Sequence, residues 1–293
     1  MFHNIVPDNI SKTLEIPPHN LKTSEFLKII KIVNKLFKII SLKDYVENYI
    51  KRGRFPYSKC AITFDDGTAS SLENGIQFLC RKNIPVTIFI STCQIHNKKI
   101  LDGYYLAALC LESKYESIQI ENYTFPLKTF TQKVYTYKKL QKIVNHKSKD
   151  QLIENLINSY PVMGESIKFY RGLTKYEIEA NLEKFSCLNI ASHSNNHYSL
   201  EEMDFDTQYK EIKDSLDIIS SLNGTNKLYF SYPYGEYNND TLKVLTSLGL
   251  SASFAVKPKN LNINKAFEIE RIGIYKSNFL YVLAKILKYQ LRI

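Results

Sequence analysis

Two neighbouring carboxylates and a pair of histidines are the side chains of this sequence best placed to do chemistry. The carboxylates stand in Ala61-Ile62-Thr63-Phe64-Asp65-Asp66-Gly67, where residues of strand preference run into Asp65, Asp66 and a glycine. Adjacent residues on an extended chain point to opposite sides. At a strand end, one carboxylate can therefore hold a metal while its neighbour works on a water. The same seven residues also read as a strand followed by an Asp-Gly turn. The histidines stand in His193-Ser194-Asn195-Asn196-His197, directly after the strand-like Leu188-Asn189-Ile190-Ala191. Two imidazoles four residues apart can reach one cation when the chain turns after the first. Ser194 stands where the H-E-x-x-H motif has its catalytic glutamate, so this is not that motif. One Asp and two His would leave coordination positions open for water and substrate, as a hydrolytic metal requires.

Thr63-Phe64-Asp65-Asp66-Gly67, His193-Ser194-x-x-His197 and Tyr232-Pro233-Tyr234-Gly235 resemble, in order and spacing, the first three motifs of the polysaccharide deacetylases, the NodB-homology or carbohydrate esterase family four domain. The likeness runs from His3 to about Ile274 and is thinnest over residues 95–170. The resemblance implies a distorted (β/α) barrel with fewer than eight regular units. It implies Asp66, His193 and His197 as ligands of a divalent metal, typically zinc, with Asp65 as general base toward a water. The reaction would be hydrolysis of an N-acetyl group on a sugar. The metal and the backbone N–H of Tyr234 would stabilise the oxyanion, with Pro233 shaping the turn against the substrate.

The chain departs from that family's pattern twice. An Arg usually stands two residues before the Pro, where this chain has Ser231; Arg271, on the last strand, is the candidate for the missing cation, against the alternative of a surface-strand arginine. The family's late Leu-x-His, which carries the general acid, has no counterpart because no histidine follows His197. Met1-Phe2-His3-Asn4-Ile5-Val6 is similar to the end of the Tyr-His-x-Val strand that opens many of these deacetylases. In a closed barrel the first strand lies beside the last, so His3 would take the acid's place. Almost nothing of that strand precedes His3, and a start assigned too late would account for it. His19, His96 and His146 lie in polar contexts and read as surface residues.

The elements that must position these residues alternate. Residues 1–22, with Pro7, Pro17 and Pro18, read as a loop, and Phe26, Ile29, Ile30, Val33, Leu36 and Phe37 then mark a helical face. Ile39-Ile40 forms a short strand, and Ser41 with Asp44 resembles a capped helix start, ended by Gly53 and Pro56. A helix over about Ser71–Lys82 and a strand over Val86–Ile90 follow the opening motif. Residues 95–170 read as a mainly helical insertion within one domain spanning residues 1–293, rather than as an independent core. That insertion holds a hairpin near Ile118–Phe125 and a solvated Lys-rich face after Lys138. Thr174 with Glu177 and Ser199 with Glu202 read as helix caps. Tyr209, Ile212, Leu216 and Ile219 form a core stripe that Gly224 ends. Strands over Leu228–Tyr232, Ser251–Val256 and Ile269–Ile274, a helix over Asp240–Leu248 and an amphipathic helix over Phe279–Leu291 complete the chain. Alternating strands and helices imply an α/β fold with a parallel sheet and a site at the C-terminal rim.

Bulk properties bound the partners. The 293 residues are 44% hydrophobic and 13% aromatic, enough for one large domain or two small ones. A net charge of +10 suits an acidic partner, such as a phosphate-bearing substrate, an anionic glycan or a membrane surface. By itself it does not indicate nucleic acid, and the Lys, Asn, Ile and Tyr richness equally fits a compositional habit of the source genome. Five scattered cysteines without a C-x-x-C pair argue for a reducing compartment. With no apolar run of about 18 residues and no leader-like start, the expectation is a cytoplasmic protein. The C-terminal helix, with Lys285, Lys288 and Arg292, is the segment that could touch a membrane. The expected activity is metal-dependent removal of an N-acetyl, or less commonly an N-formyl, group from an amino sugar in a saccharide or a nucleotide- or lipid-linked precursor. The competing class is a non-catalytic glycan-binding protein that kept the fold. Oligomeric state is not legible in the residues.

Overall fold

Runs of β-branched and aromatic residues too short to bury themselves alone pair side by side into one sheet. A computed structural model of the chain describes residues 1–10, 20–52, 58–97, 100–144, 150–162, 165–224, 228–261 and 265–291. Six strands form the principal sheet: β1 (Ile62–Phe64), β2 (Val86–Ile90), β3 (Leu188–Ser192), β4 (Tyr229–Ser231), β5 (Ala252–Ala255) and β6 (Ile269–Glu270). Their spatial order is their chain order, and every neighbouring pair is parallel. Winding always in one direction is how a barrel grows, and it places all the strand ends with polar motifs at one rim.

The N-terminal segment bridges the two edges of this sheet. Phe2 N donates to Thr63 O at 2.9 Å and Asp65 N donates to Phe2 O at 3.0 Å. On the other side the Met1 amino nitrogen donates to Ile272 O at 2.8 Å, and Ile274 N donates to Met1 O at 3.2 Å. The strand expected over Ile269–Ile274 is therefore divided: its first two residues pair with β5, and Ile272 and Ile274 bond to Met1. Residues 1–22 are not wholly a loop either, because Asn4–Val6 pairs in parallel with Asn20–Lys22. Three-residue strands have no periodicity to reveal them.

Alternation divides the side chains between two faces. Ile62, Phe64, Val86, Ile88 and Ile90 pack outward against helices, including Thr23–Leu36 and the stretch Ala69–Cys80, which contains a π-helical turn at Leu72–Ile76. Phe89, Ala191, Ala252, Phe254 and Ile269 form a separate buried cluster with Leu42 and Val46 of the helix Leu42–Arg52. Helix starts follow the capping chemistry at Ser41/Asp44 and Thr174/Glu177. The cap expected at Ser199/Glu202 is corrected: the helix Phe205–Asn223 begins one turn later, with Asp204 accepting from Thr207 N. Its end at Gly224, in the left-handed conformation, is as read. The expected stops at Gly53 and Pro56 lie outside the described residues, as do His19, His146, Arg292 and the His96 side chain.

Between β2 and β3 lie several helices and the antiparallel hairpin Ser117–Ile120/Tyr123–Pro126. This segment carries a hydrophobic cluster of its own, with Leu106, Leu109, Ile118, Leu140 and Leu156 fully buried. Lys138, Lys139 and Lys142 are exposed. All five cysteines are free thiols. The helix Phe279–Leu291 docks through Val282 and Ile286 and leaves Phe279, Leu280 and Leu287 exposed. Among the described residues, no helix is long and apolar enough to cross a membrane.

Candidate metal centre and active site

The loop after β1 is built to turn sharply. Asp66 has φ 74° and Gly67 has φ 78°, and a Cβ on Gly67 would lie 2.9 Å from the Ile90 side chain. Only glycine combines that conformation with that closeness. The loop is held from outside the strand. Leu173 N donates to Gly67 O at 3.0 Å, Ala69 N to Arg171 O at 2.9 Å, and Gln94 Nε2 to Asp66 O at 2.6 Å. After β3 the chain turns tightly through Ser194, with φ 63°, whose hydroxyl accepts from His197 N at 3.1 Å. Buried Glu211 accepts from the Asn196 side chain at 2.9 Å and from its backbone N–H, which fixes the intervening loop. Four of the seven non-glycine residues with positive φ among those described are Asp66, Ser194, His197 and Tyr234. Backbone of this kind persists where surrounding contacts over-determine it, and it concentrates at functional sites.

These turns bring Asp66, His193 and His197 together, with one ligand atom from each within 4.8 Å of the others. Asp66 Oδ1 stands 3.5 Å from His193 Nε2 and 3.3 Å from His197 Nε2. Ligands about 2.0–2.1 Å from one tetrahedral zinc stand about 3.4 Å from each other, so this spacing fits a cation of that size. His193 Nδ1 lies 2.7 Å from the Ser231 carbonyl oxygen and donates to it, which turns Nε2 toward Asp66. Burial would raise the Asp66 carboxyl, but hydrogen bonds from both histidines outweigh it and hold the group well below the usual carboxylate range. A nitrogen, nitrogen, carboxylate set of this kind suits a divalent metal.

Asp65 faces the other way. Arg271 grips it with both ends of its fork, Nη1 to Oδ1 at 2.7 Å and Nη2 to Oδ2 at 2.7 Å. The guanidinium also donates to Thr63 Oγ1 at 3.3 Å and to Ser231 Oγ, and it lies 5.1 Å over the Phe89 ring. Burial acts to raise the Asp65 carboxyl, yet the Arg271 charge prevails and brings it down to about 2. Arg271 is thus placed against the Asp65 carboxylate from β6's side of the barrel, and is buried.

A cavity of about 370 Å³ opens over both carboxylates. His3 lines it beside Asp65 and Asp66, and burial lowers the imidazole below its ordinary value. Tyr234, at the centre of the Pro233–Gly235 turn with φ 57°, also lines it, and its ring packs edge-on against His197 at 4.7 Å. Pro233 is buried within the turn, so Tyr234 and Gly235 form the wall there. The remaining walls were not legible in the sequence. Tyr104, Tyr137 and Gln141 come from the insertion, and Lys257 and Tyr275 from the opposite side. Tyr104 Oη donates to Asp66 Oδ2 at 2.7 Å. Burial, then the Asp66 charge, push that phenol well above its usual range, so it keeps its proton. Nothing local distinguishes Tyr104, Gln94 or Glu211 from the many polar residues around them.

Residues 173–253, which hold both histidines and the Pro-Tyr-Gly turn, match the family model described as polysaccharide deacetylase. Over that stretch the chain is similar to the polysaccharide deacetylases. No protein of curated function matches it by sequence. Three solved deacetylases share its fold over nearly their whole length. The Streptococcus pyogenes deacetylase PplD, solved in complex with acetate, is similar with a TM-score of 0.59 at 15% identity, covering 97% of this chain and 96% of that one. IcaB from Ammonifex degensii gives 0.60 at 14%, covering 97% and 95%. A de-N-acetylase from Aggregatibacter actinomycetemcomitans gives 0.58 at 13%, covering 97% of each. Identities this low establish the NodB-type (β/α) barrel of the deacetylase family, and the roles of particular side chains rest on the geometry above.

Proposed function

We propose that the chain hydrolyses the N-acetyl group of an amino sugar, using a divalent cation such as zinc held by Asp66, His193 and His197. The observation that carries this reading is the division of the Asp pair. Asp66 joins two histidines at ligand spacing, and Asp65, one residue earlier, is gripped by Arg271 at the floor of the same cavity. The cation supplies Lewis acidity for the attacked carbonyl and for a water. Asp65, kept ionised and oriented by Arg271, is the proton acceptor for that water. The Tyr234 backbone N–H is the second oxyanion donor, and His3 is the acid that protonates the leaving amine. Tyr137, Tyr234 and Tyr275 around the cavity supply aromatic faces and hydroxyls of the kind that hold a sugar ring.

The test is release of acetate, with formate followed in parallel, from nucleotide-linked, lipid-linked and oligomeric N-acyl sugars. It is run on metal-stripped protein with and without added zinc. Zinc-dependent acetate release is expected, and it should be lost in Asp66→Asn and His197→Ala. Zinc binding without turnover of any member of the panel would instead support a glycan-binding protein on this fold.

A further inference from the structure

The inserted segment reaches the metal triad through the Tyr104 hydroxyl. The two oxygens of Asp66 have separate partners: Oδ1 stands 3.5 and 3.3 Å from the Nε2 atoms of His193 and His197, and Oδ2 accepts from Tyr104 Oη at 2.7 Å. We propose that Tyr104 is a positioning residue of the metal centre, whose hydroxyl occupies Oδ2 so that Asp66 ligates through Oδ1 alone. This rests on the reading of Asp66, His193 and His197 as metal ligands.

The geometry gives Tyr104 the rigidity such a role needs. The residue is buried, and its ring stacks on Tyr170 with centroids 4.9 Å apart and planes at 18°. Tyr170 Oη accepts from Asn20 Nδ2 at 3.1 Å, and Asn20 Oδ1 accepts from Asn4 Nδ2 at 3.2 Å. Asn4 Oδ1 in turn accepts from Thr68 Oγ1 at 2.8 Å. Thr68 is two residues beyond Asp66, so the contacts leave the loop at Asp66 and return to it at Thr68. They run through the insertion at Tyr104 and Tyr170, then through the paired strands Asn20–Lys22 and Asn4–Val6. Buried polar groups that satisfy one another in this way hold a single arrangement, because any member swung out of place would leave its partner without a hydrogen bond. A carboxylate without such a partner turns about its last bond and offers a cation either oxygen, or both. Here that freedom is removed before the metal arrives. The insertion is therefore part of the metal centre as well as a wall of the cavity.

Tyr104→Phe tests this, since it removes the hydroxyl and keeps the ring and its stack. Metal-stripped wild type and variant are titrated with Zn²⁺ against a chromophoric chelator, and the visible spectra of the Co²⁺-loaded forms are compared. The expected result is a zinc Kd at least about 10-fold higher in Tyr104→Phe, with an altered cobalt spectrum from the freed carboxylate. The thermal midpoint of the metal-free variant should stay near that of wild type, while the increment added by zinc shrinks. Equal zinc affinity and identical cobalt spectra in the two proteins would overturn the role of Tyr104 and leave the metal reading standing. Failure of wild type itself to bind zinc would overturn both.

Discussion

Asp65 and Asp66 are neighbours in sequence with opposed surroundings, and most of the chemistry depends on that opposition. Ser231 is central to it. A long side chain at 231 would crowd the space that the Arg271 fork enters, whereas the serine hydroxyl contacts both the guanidinium and, at 3.4 Å, Asp65 Oδ2. The short side chain of Ser231 and the buried position of Arg271 thus go together around Asp65. Removing a single partner from a buried ion pair leaves the other charge uncompensated and typically costs about 3–5 kcal/mol. Arg271→Met should lose stability on that scale in denaturant titration and lose most activity. The double variant Arg271→Met/Asp65→Asn should regain much of the stability and none of the activity. A double variant no more stable than the single one would show that the pair is not the source of the loss. His3→Ala should lower kcat by about 10²–10⁴ while leaving zinc affinity unchanged. Full kcat in that variant would remove His3 from the role of acid.

At the scale of elements, the loops are held by segments distant in the chain. The segment Arg171–Leu173 clamps the Gly67 turn, and is itself fixed by Glu177. That carboxylate takes both ends of the Arg171 fork at 2.9 and 2.6 Å, and also accepts from Thr174 N and Oγ1. Burial would raise the Glu177 carboxyl, but these bonds bring it down to about 2 from an ordinary 4.5. A group whose folded value is depressed stabilises the fold above its unfolded value, and that contribution disappears as pH falls through the folded value. Glu177→Gln should therefore be less stable than wild type at neutral pH, with the difference shrinking below about pH 4.5 and vanishing near pH 2. Parallel thermal melts across that range decide it; a constant difference at every pH would separate the loss from ionisation. The capping box itself was legible as Thr-x-x-Glu. Its second task, holding Arg171 against the loop after Asp66, was not, because Arg171 precedes the helix and meets Ala69 only in the fold.

For the whole molecule, the decisive feature is closure. Met1 and Phe2 bond to β1 on one side and to Ile272 and Ile274 on the other, which carries His3 onto the cavity wall. Phe2 locks that closure. It is buried, with its ring 5.1 Å from Phe26 and 5.5 Å from Phe64. Truncating a core Phe costs about 3–5 kcal/mol through lost transfer energy and the cavity left behind. Phe2→Ala should show a destabilisation of that size by chemical denaturation, together with reduced activity, since His3 is the next residue. A loss below about 1 kcal/mol would mean that the segment is not integral to the barrel.

The residues alone determined the catalytic vocabulary. Asp65-Asp66-Gly67 and His193-x-x-x-His197 are short motifs whose possible chemistry is readable from residue type, spacing and strand-end position, and Pro233-Tyr234-Gly235 joined them through the resemblance to the deacetylases. Helix caps and apolar stripes likewise follow local rules, which is why helices such as Thr23–Leu36 and strands such as Val86–Ile90 were readable. Tertiary structure alone decided which distant groups complete those motifs. Arg271 meets Asp65 across 206 residues of chain, Tyr104 meets Asp66 across 38, and Met1 meets Ile272 across 271. Such pairings leave no periodic trace in sequence. They arise because a parallel sheet wound in one direction brings its first and last strands together, and because a segment inserted between two strands folds back over the rim where the strands end.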